Sequence, residues 1–166
     1  MTLGILLLTP LLFGQSNDTV KHIREIVEQI NTDTAYTTRT IEGDQWMEHT
    51  TDGGGYLTGY FKQGQLVKIV ELVGLSSCTL IYEYYFQDDN LIFVYGQEKN
   101  FEYVDSLASF DYTTQTLAME FRFYFESNNL IKSKITQRSK RAMAVSETQA
   151  LELLAESKRF QQLLKN

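Results

Sequence analysis

Carboxylates and an imidazole crowd one polar stretch of this 166-residue chain: Glu42, Asp44, Glu48, His49 and Asp52 fall within eleven residues, around the only tryptophan, Trp46. Such groups could move protons or hold a divalent ion, and the indole could stack against a flat ligand. An acidic turn in an acidic protein is equally expected to be merely solvated, so no metal is expected, Glu48 and His49 being the nearest approach to ligands. The other histidine, His22, stands apart. Cys78, the sole cysteine, has no histidine or basic residue near it in sequence to favour a thiolate, and fits a half-buried position at a strand start. No nucleophile elbow, His-Glu-x-x-His or Cys-x-x-Cys is present, and Gly53-Gly54-Gly55 precedes a strand rather than a helix, which suits a flexible entry to Tyr56 and not a phosphate loop. The chemistry leans away from catalysis and calls for no cofactor; a hydrolase using the Glu42 to Asp52 segment is the minor alternative.

Tyrosines give the stronger signal. Tyr60-Phe61-Lys62-Gln63-Gly64-Gln65-Leu66-Val67, Tyr85-Phe86-Gln87-Asp88-Asp89-Asn90-Leu91-Ile92 and Tyr124-Phe125-Glu126-Ser127-Asn128-Asn129-Leu130-Ile131 repeat one pattern. Each is an aromatic pair, four turn-forming residues, then Leu and a β-branched residue, as a hairpin requires. Gly64, Asp89 and Asn128 occupy the same place in each copy, and these residue types best tolerate a positive φ. Copies lie 25 and then 39 residues apart, so the pattern predicts successive hairpins of one sheet, with a longer connection before the third. Alternation sets Phe61, Phe86 and Phe125 on a core face and Tyr60, Tyr85 and Tyr124 on the other. If that second face is open, the three tyrosines form an aromatic row, and with Trp46 they are the candidate ligand-binding residues. A tyrosine ladder shielded by charged stems is the plainer alternative, with Glu83 and Arg122 placed to pair across strands.

The elements that must position these groups follow from periodicity. Val20, Ile23, Ile26, Val27 and Ile30 fall at helical spacing between Asn17 and Asn31, with Asn17, Asp18 and Thr19 as N-cap candidates. Strand patterns follow from Ala35 to Glu42, Tyr56 to Gln63, Leu66 to Val73, Thr79 to Gln87 and Leu91 to Lys99; the pattern weakens between Val104 and Ser109 and resumes from Leu117 to Glu126. A last helix starts near Ser146, where Ser146 and Gln149 have capping-box spacing, and carries Leu151, Leu154, Phe160, Leu163 and Leu164. The expected class is α+β: a curved antiparallel meander of about six to seven strands packed through its phenylalanine face on the N-terminal helix, with the C-terminal helix on an edge or end.

Leu3 to Phe13 is an apolar run, interrupted only by Gly4, Thr9 and Pro10, and too short to span a bilayer; small residues follow at Gly14 and Ser16. Residues 1–15 therefore read as a signal peptide and 16–166 as one domain, secreted or periplasmic and not an integral membrane protein. One cysteine forbids an internal disulfide, and a domain of this size is held by its core. The formal charge of −6 disfavours nucleic acid. Lys132, Lys134, Arg138, Lys140 and Arg141 form the one basic stretch, as on edge strands that resist association, and a monomer is expected.

Ile23-Arg24-Glu25-Ile26-Val27-Glu28-Gln29-Ile30-Asn31, Gly59-Tyr60-Phe61 with Leu66-Val67-Lys68-Ile69, Glu83-Tyr84-Tyr85-Phe86 with Leu91-Ile92-Phe93-Val94-Tyr95, and Glu120-Phe121-Arg122-Phe123-Tyr124-Phe125 with Leu130-Ile131 succeed one another along the chain. This succession resembles a family of small uncharacterised bacterial secreted proteins with an N-terminal helix and Tyr-Phe-turn-Leu-Ile hairpin repeats. The resemblance implies export and a helix-plus-meander fold, and it carries over no reaction and no catalytic residue. The expected function is that of an exported, non-catalytic binding module for a protein or an envelope surface polymer. The alternative is a carrier of a small apolar ligand held between sheet and helix.

Overall fold

The computed structural model describes residues 12–165; the first eleven residues of the expected signal segment lie outside them. Helix α1 (Leu12–Thr32) leads into seven strands, β1 (Thr37–Glu42), β2 (Gly55–Lys62), β3 (Gln65–Gly74), β4 (Cys78–Gln87), β5 (Asn90–Val104), β6 (Ser109–Glu126) and β7 (Asn129–Gln137), followed by helix α2 (Glu147–Lys165). Strand order follows chain order in one antiparallel sheet that does not close into a barrel. The α+β meander is thus as the sequence predicts, while α1 starts ahead of its expected caps and runs through Gly14 and Ser16.

Each repeat forms the same hairpin. Gln63 and Gly64, Asp88 and Asp89, and Ser127 and Asn128 all have positive φ, the paired left-handed geometry of a two-residue turn whose twist matches that of the flanking strands. Each ladder then slips by one residue between the two aromatics and their partners: Tyr60 faces Lys68 but Phe61 faces Leu66, and the same occurs at Tyr85/Phe86 and Tyr124/Phe125. The bulged residue is the β-branched one, Val67, Ile92 or Ile131. A bulge turns consecutive side chains toward one side. Leu91 and Leu130 accordingly stay with the phenylalanines, while Ile92 and Ile131 join the tyrosines.

Both faces of the sheet are covered, and the helices are exchanged relative to expectation. The phenylalanine face, with Phe86, Phe121, Phe123 and Phe125 buried and Phe61 at its rim, packs under α2 through Ala150, Leu153, Phe160 and Leu164. Helix α1 instead lays Val20 and Ile23, flanked by Ile26, Val27 and Ile30, on Tyr85, Ile92, Phe93 and Tyr124 of the other face. Contacts at its two ends set the course of α2: Ser133 of β7 donates to Glu147 at 2.8 Å, and Arg39 of β1 donates to the Leu164 carbonyl at 3.0 Å, placing a cation at the helix C-terminus. Its buried stripe is Ala150, Leu153, Ser157, Phe160 and Leu164; of the residues expected to face the core, Phe160 and Leu164 do so, Leu154 and Leu163 pack at its margin, and Leu151 faces outward.

Glycines mark two close approaches. A Cβ on Gly96 would lie 2.2 Å from the Phe121 ring, which packs directly over that backbone. Gly53 and Gly74 exchange backbone contacts so tight that a Cβ on either would meet the other's backbone below 3 Å, so Gly53-Gly54-Gly55 is a packed junction rather than a flexible entry. The long connection expected before the third repeat is instead a further hairpin: β5 and β6 continue past the sheet as a two-stranded arm, turning through Asp105–Leu107 with Ala108 left-handed.

Candidate functional site

Register builds one row straight across the sheet: Tyr60 faces Lys68, Lys68 faces Tyr85, Tyr85 faces Phe93, and Phe93 faces Tyr124. The three predicted tyrosines therefore share a line, but the face is not open. Tyr85 is 1% and Tyr124 3% exposed beneath α1, and Tyr60 is half-buried, edge-on to Tyr36 at 6.0 Å. The Lys68 ammonium sits 4.9 Å from the Tyr85 ring and 5.9 Å from that of Tyr60, the charged-stem shielding of a ladder.

One step along the strands runs a second row, Glu83 facing Tyr95 and Tyr95 facing Arg122. Glu83 and Arg122 do not pair with each other, because Tyr95 stands between them. Glu83 binds Lys68 at 3.0 Å and accepts the Tyr85 hydroxyl; Arg122 binds Glu120 at 3.1 Å and stacks over the Tyr95 ring at 4.7 Å. Tyr95 donates to Glu120 at 2.9 Å and accepts from Gln97 at 2.8 Å. That bond, with those from Arg122 and Arg138, lowers the Glu120 carboxyl below its ordinary range. Burial, reinforced by Glu83, raises the Tyr85 hydroxyl above its own, and burial with Glu120 does the same to Tyr95. These phenols are neutral donors, held in place by carboxylates.

Between the two rows and α1 lies a groove of about 480 Å³, within the range of small-ligand sites. Phe93, Tyr85 and Tyr124 floor it, Tyr95 and Arg122 form the sheet-side wall, and Arg24, Val27, Glu28 and Asn31 form the helix side. Arg24 lies over the Tyr124 ring at 5.5 Å and donates to its hydroxyl at 3.2 Å; Asn31 Oδ1 accepts from Lys68 at 3.0 Å. Arg24 is exposed and has no described ion pair, which leaves guanidinium donors directed at solvent in the groove mouth. Sequence reasoning missed Phe93, Tyr95, Arg24 and Asn31. A usable signal was present: Arg24, Glu28 and Asn31 recur at helical spacing along one flank of the apolar stripe.

The acidic stretch does not assemble. Glu42, Asp44, Glu48, His49 and Asp52 are exposed, and Glu48 and His49 sit on solvent-facing bends without a described partner, so no preorganised acid–base pair is formed there. Trp46 leaves its neighbours for the core, edge-on to Phe160 at 5.5 Å, and its carbonyl accepts from Arg159 at 2.8 Å. Cys78 is buried, and burial raises its thiol. Among the described residues, no three His, Cys, Asp or Glu side chains gather as metal ligands would, and no helix is long and apolar enough to cross a membrane. A second polar pair lies under α2, where Tyr84 donates to Glu71 at 2.5 Å and burial pushes the Glu71 carboxyl up to about 7. No protein-family model, curated protein or solved structure matches the chain.

Proposed function

We propose that this chain is an exported, non-catalytic binding module for a protein or envelope polymer, and that the groove between α1 and the tyrosine face receives one group of that partner. The groove carries this reading because it joins an aromatic floor to a guanidinium at its mouth that has no described ion pair. A flat or apolar group would lie against Tyr95 and Phe93 while an acidic or acceptor group meets Arg24. Capture from native envelope material by wild type, Tyr95→Ala and Arg24→Glu tests it. Capture lost in both variants, with melting unchanged, supports the groove; equal capture by all three rejects it.

The groove's position between helix and sheet also favours a carrier of a small ligand, of amphipathic rather than purely apolar character. Native mass spectrometry of protein purified from its host decides between the two: a bound small-molecule mass favours the carrier, and the bare chain mass favours the module.

A further inference from the structure

A second cavity, of about 780 Å³, opens where the arm leaves the sheet, between the start of β4 and the segment that follows β7. It lies on the α2 side, away from the groove: Cys78 belongs to that core, and Glu98 stands in register with Leu80 and Met119 of the same layer. Alternation along β5 brings Glu98, Asn100 and Glu102 to this side at steps of about 7 Å. Asn100 faces Cys78 on β4 and Thr116 on β6, which carries the lining across three strands. Arg138, Ser139, Arg141 and Met143 close the other side.

The polar groups of this cavity are not matched to one another. Glu98 is 2% exposed, and its one described bond comes from the Met143 N–H to Oε2 at 2.8 Å, so Oε1 has no described donor. A carboxyl buried to that degree is ordinarily met by a cation or by several donors. Asn100 Oδ1 is buried with no hydrogen-bond partner at all, a cost that proteins seldom leave standing. Arg138 is committed to Glu120 at 2.9 Å, whereas Glu102 and Arg141 enter no described ion pair. Arg141 stands two residues before Met143, so its backbone lies within about 7 Å of the bond that holds Glu98. Acceptors on the sheet thus look toward a guanidinium on the covering segment. A simple cation would meet Arg141, and a simple anion would meet Glu98 and Glu102.

Beyond the groove, we propose that this cavity binds a small zwitterion, an α-amino acid or dipeptide with an apolar side chain. Its ammonium donates to Glu98 Oε1 and Asn100, its carboxylate accepts from Arg141, and its side chain lies against Leu75, Ala118 and Met143. The volume falls within the range of small-ligand sites.

Isothermal titration calorimetry of the full chain with L-leucine, L-phenylalanine and L-leucyl-L-leucine, each to about 10 mM, tests the site. At least one is expected to bind saturably. Its N-acetylated form, without the ammonium, and its C-terminal amide, without the carboxylate, should each bind about tenfold or more weakly. Glu98→Gln, which still accepts from the Met143 N–H, and Arg141→Gln, on an exposed residue, should each lower affinity by about tenfold or more with far-UV circular dichroism unchanged. Should Glu98→Gln fail to fold, Arg141→Gln and the two blocked ligands decide alone. No saturable binding of any of the three, equal binding of a blocked form, or unchanged affinity in either folded variant overturns the proposal. So does binding that Tyr95→Ala abolishes, which assigns the zwitterion to the groove.

Discussion

The two faces of the sheet are made by the same hairpin repeats and have opposite characters. Under α2 the phenylalanines meet an apolar layer that includes Leu153, Phe160 and Leu164, and that buries Glu98, Ser157 and the Tyr84–Glu71 pair. Under α1 the tyrosines carry their hydroxyls into a web of Lys68, Glu83, Glu120 and Arg122, and the cover is partial enough to leave a groove. Adjacent residues of one strand thus divide the labour: Phe86, Phe125 and their neighbours hold the fold, while Tyr85 and Tyr124 prepare a surface.

The division is broken most severely at Phe123, fully buried under the α2 face. Phe123→Asp should remove more than about 4 kcal/mol and unfold the domain, by cavity formation plus an unpaired buried charge; a soluble variant with a cooperative melt would displace that face from the core. Gly96→Ala drives a methyl into the Phe121 ring and should cost about 1–3 kcal/mol in chemical denaturation. Adding Phe121→Leu should recover part of that loss, and additive losses would deny the contact.

Glu71 sharpens the contrast through pH. Its carboxyl moves from the ordinary 4.5 to about 7, so across that window the folded protein keeps a proton that the unfolded chain releases. Stability should therefore fall as pH rises from about 4.5 to about 7, by about 3 kcal/mol, and level off above. Glu71→Gln, which can still accept from Tyr84, should flatten that slope; an unchanged slope assigns it elsewhere.

On the tyrosine face, Tyr85→Phe removes one hydroxyl from a charged web and should cost only about 1–2 kcal/mol by thermal melting, while shifting the amide resonances of Asn31 and Glu83. The smallest effect belongs to a turn that both faces share. Ser127 holds φ 50° without being glycine, so Ser127→Gly should raise stability by about 0.5–1 kcal/mol. A loss there would contradict the left-handed pair.

Hairpin turns and the phenylalanine phase were legible in sequence because both are local: a turn depends on its own two residues, and alternation needs only a strand. Which helix covers which face was not. Bulges at Ile92 and Ile131 feed apolar groups to the tyrosine side, creating a second half-apolar surface that strict alternation does not predict. The arm was hidden for the reverse reason: free of the core, its residues follow no burial pattern. The groove combines residues from α1, β4, β5 and β6, whose proximity depends on register, and only Tyr85 and Tyr124 of its floor were anticipated. Trp46 shows the opposite error, a core residue lying in an acidic neighbourhood.

Because strands join in the order of synthesis while α2 (Glu147–Lys165) follows all seven of them, the nascent sheet emerges with its phenylalanine layer bare. Until residue 165 is added, that layer is the surface a chaperone or a neighbouring chain would grip. A stop codon shortly before Ser146 would thus release a meander complete in its ladder and destined to aggregate.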